Sequence, residues 1–137
     1  MNSVSSKKSD ILLLVVRIIL GIIFIGAGWA KITAMAGTIG FFAQIGIPAF
    51  LAYVVGYGEF IGGILIVLGL WTEISAIFLS IIMIVAVYVV YPMGLQSVMT
   101  PLATLGTLLA VIAAGAGKIA IPTKFLKKNT TTPTTTA

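Results

Sequence analysis

From Ile74 through Gly117 the chain carries no charged side chain. Soluble domains carry roughly 25% charged residues, whereas this chain of 137 residues carries 8%, against 60% hydrophobic. The expected fold is all-α: an integral membrane bundle of four transmembrane helices in one domain. Four apolar spans can be read, at about Ile11–Ala30, Ala49–Leu70, Ile74–Tyr91 and Pro101–Ile121. Each has roughly 18–22 residues, enough for a helix to cross about 30 Å of hydrocarbon.

The segments between the spans are short. Residues 1–10 are expected as a cytoplasmic tail, and residues 122–137 as a disordered one, Thr-rich from Asn129. Lys7 and Lys8 followed by an apolar run imitate a signal peptide. Against that reading, the run is long for one and Arg17 interrupts it. Between the first two spans, three glycines, Gln44 and the Gly46-Ile47-Pro48 breaker make the segment too polar and too short to cross. It reads as a short interfacial or re-entrant helix around Ala36–Ile45, with Phe41, Phe42 and Ile45 on one face. The connection Trp71-Thr72-Glu73 predicts a tight hairpin with Thr72 as N-cap and Glu73 at the positive end of the helix dipole. Met93–Thr100 reads as a polar turn, with Pro101 opening the last span.

The net charge is +5, and much of the positive charge sits near the ends, at Lys7, Lys8, Lys124, Lys127 and Lys128. That pattern fits ends resting on an anionic membrane face, so both termini are expected in the cytoplasm. No basic stripe interleaved with aromatics supports a nucleic-acid partner. Trp29, Tyr53, Tyr88 and Tyr91 then fall near the outer interface and Trp71 near the inner one, as an aromatic belt. The chain has no cysteine and no histidine. No haem, Fe–S or zinc site is therefore expected, nor a Ser/His or Cys/His nucleophile. Any redox role must use a bound organic cofactor or a partner subunit.

Glu59 is the sole charge in Phe50–Leu70, and Arg17 is similarly stranded in the first span. A charge at bilayer depth costs roughly 2.5–3.5 kcal/mol even on lenient scales, so each needs a partner. Arg17, Gly21, Phe24, Gly28 and Lys31 share one helical face, as do Ala52, Gly56, Glu59, Gly63 and Ile66, and Gly106, Ala110, Ala113 and Gly117. Small residues let membrane helices approach closely. Arg17 lies about 9 Å, and Glu59 about 16 Å, in from the same side. The expected ion pair is therefore Arg17–Glu59, with Lys31 a second cation nearer the other face. Such a pair either locks two helices together or also lines a polar ligand or proton pocket. Tyr57 lies about 160° around the helix from Glu59 and does not share its site.

The ordered set Arg17-x3-Gly21-x2-Phe24-x3-Gly28-x2-Lys31, Gly46-x-Pro48, Glu59-x2-Gly62-Gly63, Leu68-Gly69-Leu70 and Gly115-x-Gly117-Lys118 resembles the DoxX family of small four-helix bacterial membrane proteins. The resemblance covers nearly the whole chain apart from the tails. It implies a multi-pass protein of the bacterial plasma membrane, an oxidoreductase or the membrane subunit of a redox complex, acting on quinone-like or catechol-like molecules. It implies Arg17, Lys31 and Glu59 as the polar positions. Two departures stand out: the family often has His where this chain has Ala27, and Arg where it has Glu73.

The first expectation is a redox accessory that holds a ring, such as a membrane quinone, between helices one, two and four. Glu59 and Arg17 are its catalytic candidates, and Lys31, Arg17, Glu59, Gly28 and Gly63 its ligand-binding candidates, with a redox partner supplying electrons. The second is a non-catalytic anchor, assembly module or small-solute conduit. A self-contained transporter is less favoured, because four helices without visible repeats offer little for alternating access. A homo-oligomer is a further expected assembly, through the small-residue face of span four.

Overall fold

The computed structural model of the chain describes residues 2–115 and 117. The expected C-terminal tail lies outside them. Five α-helices and one 3-10 turn follow in order: α1 Asn2–Thr33, α2 Met35–Gln44, α3 Ala49–Leu68, α4 Thr72–Val90, the turn Tyr91–Met93, and α5 Leu95–Ala114. No strand occurs among the described residues. Helices α1, α3, α4 and α5 are each long and apolar enough to cross a membrane. They pack in a ring, α1 on α3, α3 on α4, α4 on α5 and α5 back on α1, while α2 rests on α3 and α1. The bundle thus has an Arg17 end, where α1 starts and α5 stops, and a Lys31 end that carries α2.

The helix α1 runs through the segment expected as a tail. Its 32 residues span about 48 Å, well beyond ~30 Å of hydrocarbon, so the turns carrying Lys7 and Lys8 project past the apolar stretch. The α3–α4 connection is also displaced. Gly69, at φ 74°, ends α3 with Gly69 N–H donating to Ile66 O at 3.2 Å and Leu70 N–H to Leu65 O at 3.0 Å. This pairing satisfies carbonyls a helix end otherwise leaves open. Trp71 then takes the N-cap position in a left-handed conformation, so Thr72 is the first helical residue rather than the cap. Its hydroxyl is buried and meets no partner among the described residues. Glu73 occupies the first turn as expected.

The last span starts six residues earlier than expected. Gly94 at φ 104° redirects the chain, and α5 begins at Leu95 with Pro101 inside it. A proline removes one helical hydrogen bond, and α5 continues through that loss. It ends at Ala114, with Gly115 at φ 72° as its C-cap, short of the expected end at Ile121.

The apolar core lies toward the Arg17 end. Leu20 and Phe24 of α1 meet Ile66 of α3, Leu79 of α4, and Leu108 and Val111 of α5. The small-residue faces of α1 and α3 are buried against one another: Ala52, Gly56, Glu59, Gly63 and Ile66 all point inward. On α5 the outcome is the reverse. Gly106, Ala110 and Ala113 face outward, because α5 uses Leu108 and Val111 for its contacts. Trp29, Tyr53, Tyr88 and Tyr91 at the Lys31 end and Trp71 at the other are all exposed.

Candidate functional site: an apolar cavity with a buried ion pair

Close approach of α1 and α3 builds the site. A Cβ placed on Gly28 would sit 2.7 Å from Gly56 O and against the Phe60 backbone, and one on Gly63 would lie 2.8 Å from Gly21 O and from Ile25 N. Only glycine allows backbones this near, which is how small residues hold membrane helices together. Gly28 and Gly63, expected at a ligand, lie in this helix contact and do not line the cavity described below.

The two α1 cations find different partners, and the expected Arg17–Glu59 pairing gives way. Lys31 Nζ donates to Glu59 Oε2 at 2.6 Å. Arg17 Nε donates to Ile66 O and its Nη2 to Val67 O, both at 3.1 Å. These carbonyls lie two turns beyond Glu59, about 10 Å along α3. The reason is side-chain direction. Cα–Cβ bonds lean toward the N-terminus of their own helix. On α1 that carries Arg17 away from Glu59 and Lys31 back toward it. On the antiparallel α3, Glu59 leans toward Lys31. Depth alone, without direction, selects the wrong cation. Arg17 instead meets the negative dipole end of α3, sharing Ile66 O with the Gly69 N–H and donating also to Val67 O, and it is 1% exposed.

The Glu59 side chain is 2% and that of Lys31 30% exposed. Both line a cavity of about 540 Å³ at the Lys31 end. Its size and apolar walls are those of a small-molecule site, which holds a few placed polar groups in a hydrophobic cleft. Ile23, Phe24 and Ala27 form the α1 wall, and Phe41 and Phe42 of α2 close toward it. Phe42 and Ile45 thus face the bundle, while Phe41 lines the cavity and is also exposed. The hydroxyl of Thr38 donates to Lys31 O at 3.3 Å, tying α2 to the end of α1. Among the charged residues described, Lys31 and Glu59 are the ones on the wall. Tyr57 is exposed and off the wall, as expected.

The third span, α4, lines the cavity through Phe78, Ile82 and Ala86 and is missed altogether by the sequence reading. The fourth span, α5, is a wall of the cavity as expected, but its polar members are not among the expected residues. Ser97, Thr100, Pro101 and Thr104 of α5 line the cavity. Their spacing puts them on one helical face, a signal hidden by reading Met93–Thr100 as a turn.

Comparison with known proteins now adds the family. The DoxX family model matches residues 12–92, more than half of the chain. The chain belongs to the DoxX family. The matched segment covers α1 from Leu12 onward, then α2, α3 and α4, and stops before α5, so the expected extension of the family pattern to Gly115-x-Gly117 lies beyond it. "Putative oxidoreductase CatD" of Bacillus subtilis strain 168 is 42% identical over 85 residues, covering 62% of this chain and 63% of that protein. "Inner membrane protein YqjF" of Escherichia coli K12 is 43% identical over 72 residues, covering 53% of this chain and 55% of that protein. A Haemophilus influenzae Rd protein of uncharacterised function is 34% identical over 124 residues, 82% of this chain and 89% of its own. The chain therefore spans about three-fifths of CatD and just over half of YqjF. No solved structure matches the chain. Family and helices together make this a bacterial membrane protein of the DoxX type. Ala27, one of the two departures from the family pattern expected above, lies on the cavity wall.

Proposed function

We propose that this DoxX protein holds a quinone-like or catechol-like ring in the cavity and serves as the membrane component of a redox system. The observation that carries the reading is the Lys31–Glu59 pair, 2.6 Å apart on the wall of an otherwise apolar cavity. An ammonium there offsets negative charge developing on a ring oxygen, and the adjacent carboxylate gives or takes its proton. Reduction of a quinone to a quinol takes two electrons and two protons. The chain has no cysteine or histidine, so the electrons come from a bound organic cofactor or a redox partner. Lys31, half-way to the surface, connects Glu59 to protons outside. Arg17, a catalytic candidate from the sequence, becomes a positioning residue that holds the end of α3. Lysine distribution supports an orientation with the Arg17 end in the cytoplasm. Single cysteines introduced at Ser5 and at Gln96 would then label from opposite sides of sealed vesicles; labelling of Ser5→Cys from outside intact cells would reverse that orientation.

The test of function is binding of a menaquinone analogue to detergent-purified protein. Wild type is expected to bind at about micromolar Kd, and Glu59→Gln to bind about tenfold or more weakly while remaining folded. Undiminished binding in Glu59→Gln removes Glu59 from the site. The absence of cysteine and histidine also favours a second reading, a non-catalytic anchor or assembly module. In that case folded wild type binds no quinone, Glu59→Gln lowers folded yield, and adding Lys31→Met partly restores it.

A further inference from the structure

Four hydroxyls lie on α5, and they divide into two kinds. Thr104 Oγ1 donates to Thr100 O at 2.8 Å and Thr107 Oγ1 to Ala103 O at 3.0 Å. This back-bonding to the preceding turn is the ordinary fate of a helical threonine. The hydroxyls of Ser97 and Thr100 make no hydrogen bond among the described residues, and both residues line the cavity. Between them and Thr104 sits Pro101, also on the wall. Having no N–H, Pro101 cannot serve the Ser97 carbonyl one turn back. Two hydroxyls and one carbonyl on the same helical face thus lack their usual helical partners. Ser97 is half-buried and Thr100 exposed, and where lipid rather than water meets groups in that condition they are costly unless something pairs with them.

Their placement relative to the ion pair is the second observation. Glu59 is on α3, and α3 and α5 are diagonal across the bundle, with no direct approach between them among the described residues. The cavity fills the space between. Its wall therefore has a charged pole on α1 and α3 and a hydroxyl pole on α5, separated by apolar side chains.

We infer that Ser97 and Thr100 form a second hydrogen-bonding pole of the cavity, which selects a flat ring with oxygens on opposite edges, a 1,4-quinone or 1,4-quinol, over a ring with both oxygens on one edge. The inference rests on the reading of the cavity as a ring-binding site. Hydroxyls both donate and accept, so this pole suits a quinone carbonyl and a quinol hydroxyl alike. A 1,4-oxygenated ring, with its oxygens on opposite edges, has one to offer each pole. A catechol engages the Lys31–Glu59 pole and leaves Ser97 and Thr100 unmet. The family match ends at residue 92, so the α5 pole is a feature of this chain beyond the matched segment.

The experiment is calorimetric titration of purified full-length protein in lipid nanodiscs with 1,4-dihydroxybenzene, the simplest 1,4-quinol, and with its isomer catechol, which differ only in the placement of the second oxygen. Wild type is compared with Ser97→Ala/Thr100→Val, a near-isosteric pair of changes, and with Glu59→Gln. Wild type is expected to bind the 1,4-quinol about tenfold more tightly than catechol, as one extra hydrogen bond allows. The α5 double variant should lose that preference by weakening 1,4-quinol alone, while Glu59→Gln weakens both ligands. Equal binding of both ligands by wild type, or an unchanged preference in a folded double variant, overturns the α5 pole and leaves the ring-binding reading standing. Binding of neither ligand by folded wild type overturns both. Should the double variant lose its fold, Thr100→Ser, which keeps the hydroxyl, and Thr100→Val alone carry the same comparison: preference kept in the first and reduced in the second supports the pole, and equal preference in both overturns it. A parallel titration with a quinol bearing an isoprenoid tail separates the sources of the ring. Markedly tighter binding of the tailed form assigns the ligand to the bilayer, and equal binding assigns it to the water phase.

Discussion

Arg17 and Lys31 lie on the same face of α1, about four turns apart, yet the two ends of that face behave differently. At the Arg17 end the cation is fully enclosed, spends donors on the carbonyls of Ile66 and Val67, and adjoins the packed core of Leu20, Ile66 and Leu108. At the Lys31 end the cation meets a carboxylate on the wall of a cavity. A buried cation against a helix C-terminus closes a structure. A cation against a carboxylate beside empty space leaves chemistry available. The same seam thus contributes a structural end and a candidate functional end.

The sharpest break of this comparison lies between the two ends, in the seam itself. Gly28→Val should cost about 3 kcal/mol or prevent folding, since its first side-chain atom already meets the α3 backbone. Monodisperse yield and thermal unfolding in detergent measure it, and a folded variant of unchanged stability would mean that the helices are further apart.

Next comes Arg17→Leu, which takes a donor from Val67 O and leaves Ile66 O with the Gly69 N–H alone; it should cost roughly 1–3 kcal/mol while changing quinol affinity less than about twofold. Arg17→Lys should recover only part of the loss, because a point-like ammonium cannot fork to two carbonyls. A large loss of affinity with stability unchanged would move Arg17 into the site.

Double-mutant cycles sharpen the contrast further. Lys31→Met with Glu59→Gln should show a coupling of about 1 kcal/mol, and Arg17→Leu with Glu59→Gln one within about 0.5 kcal/mol, as expected for partners and for distant residues. The reverse order would restore the pairing expected from depth alone.

The smallest effect is expected on the outward face of α5. Gly106→Ala should stabilise by about 0.5–1 kcal/mol through helix propensity, since nothing lies within 4 Å of the added Cβ. Destabilisation there, accompanied by a fall in mass measured by light scattering, would reveal a partner helix on that face.

Much of the bundle was legible in the residues. The four apolar stretches, the short helix between the first two, and the matching small-residue faces of α1 and α3 follow from span length and helical period. The α5 face was misread because a small-residue stripe says how closely a neighbour can come, not whether one is there. Its start was misread because Pro101 suits a first turn, and here the bundle instead carries the proline at the cost of one hydrogen bond. The site was legible in its two charged members and in the choice of the fourth span, and hidden in the α4 wall and the hydroxyls of α5.

By itself, the sequence determined that the chain crosses a membrane, that α1 and α3 meet along glycine, and that Glu59 needs a cation. Those are properties of composition and period, which lipid and helix geometry read directly. Only the tertiary structure decided which cation answers Glu59, because the lean of each side chain acts in opposite senses on antiparallel helices. It alone placed the cavity, because empty space is defined by the helices around it and written in no single one of them.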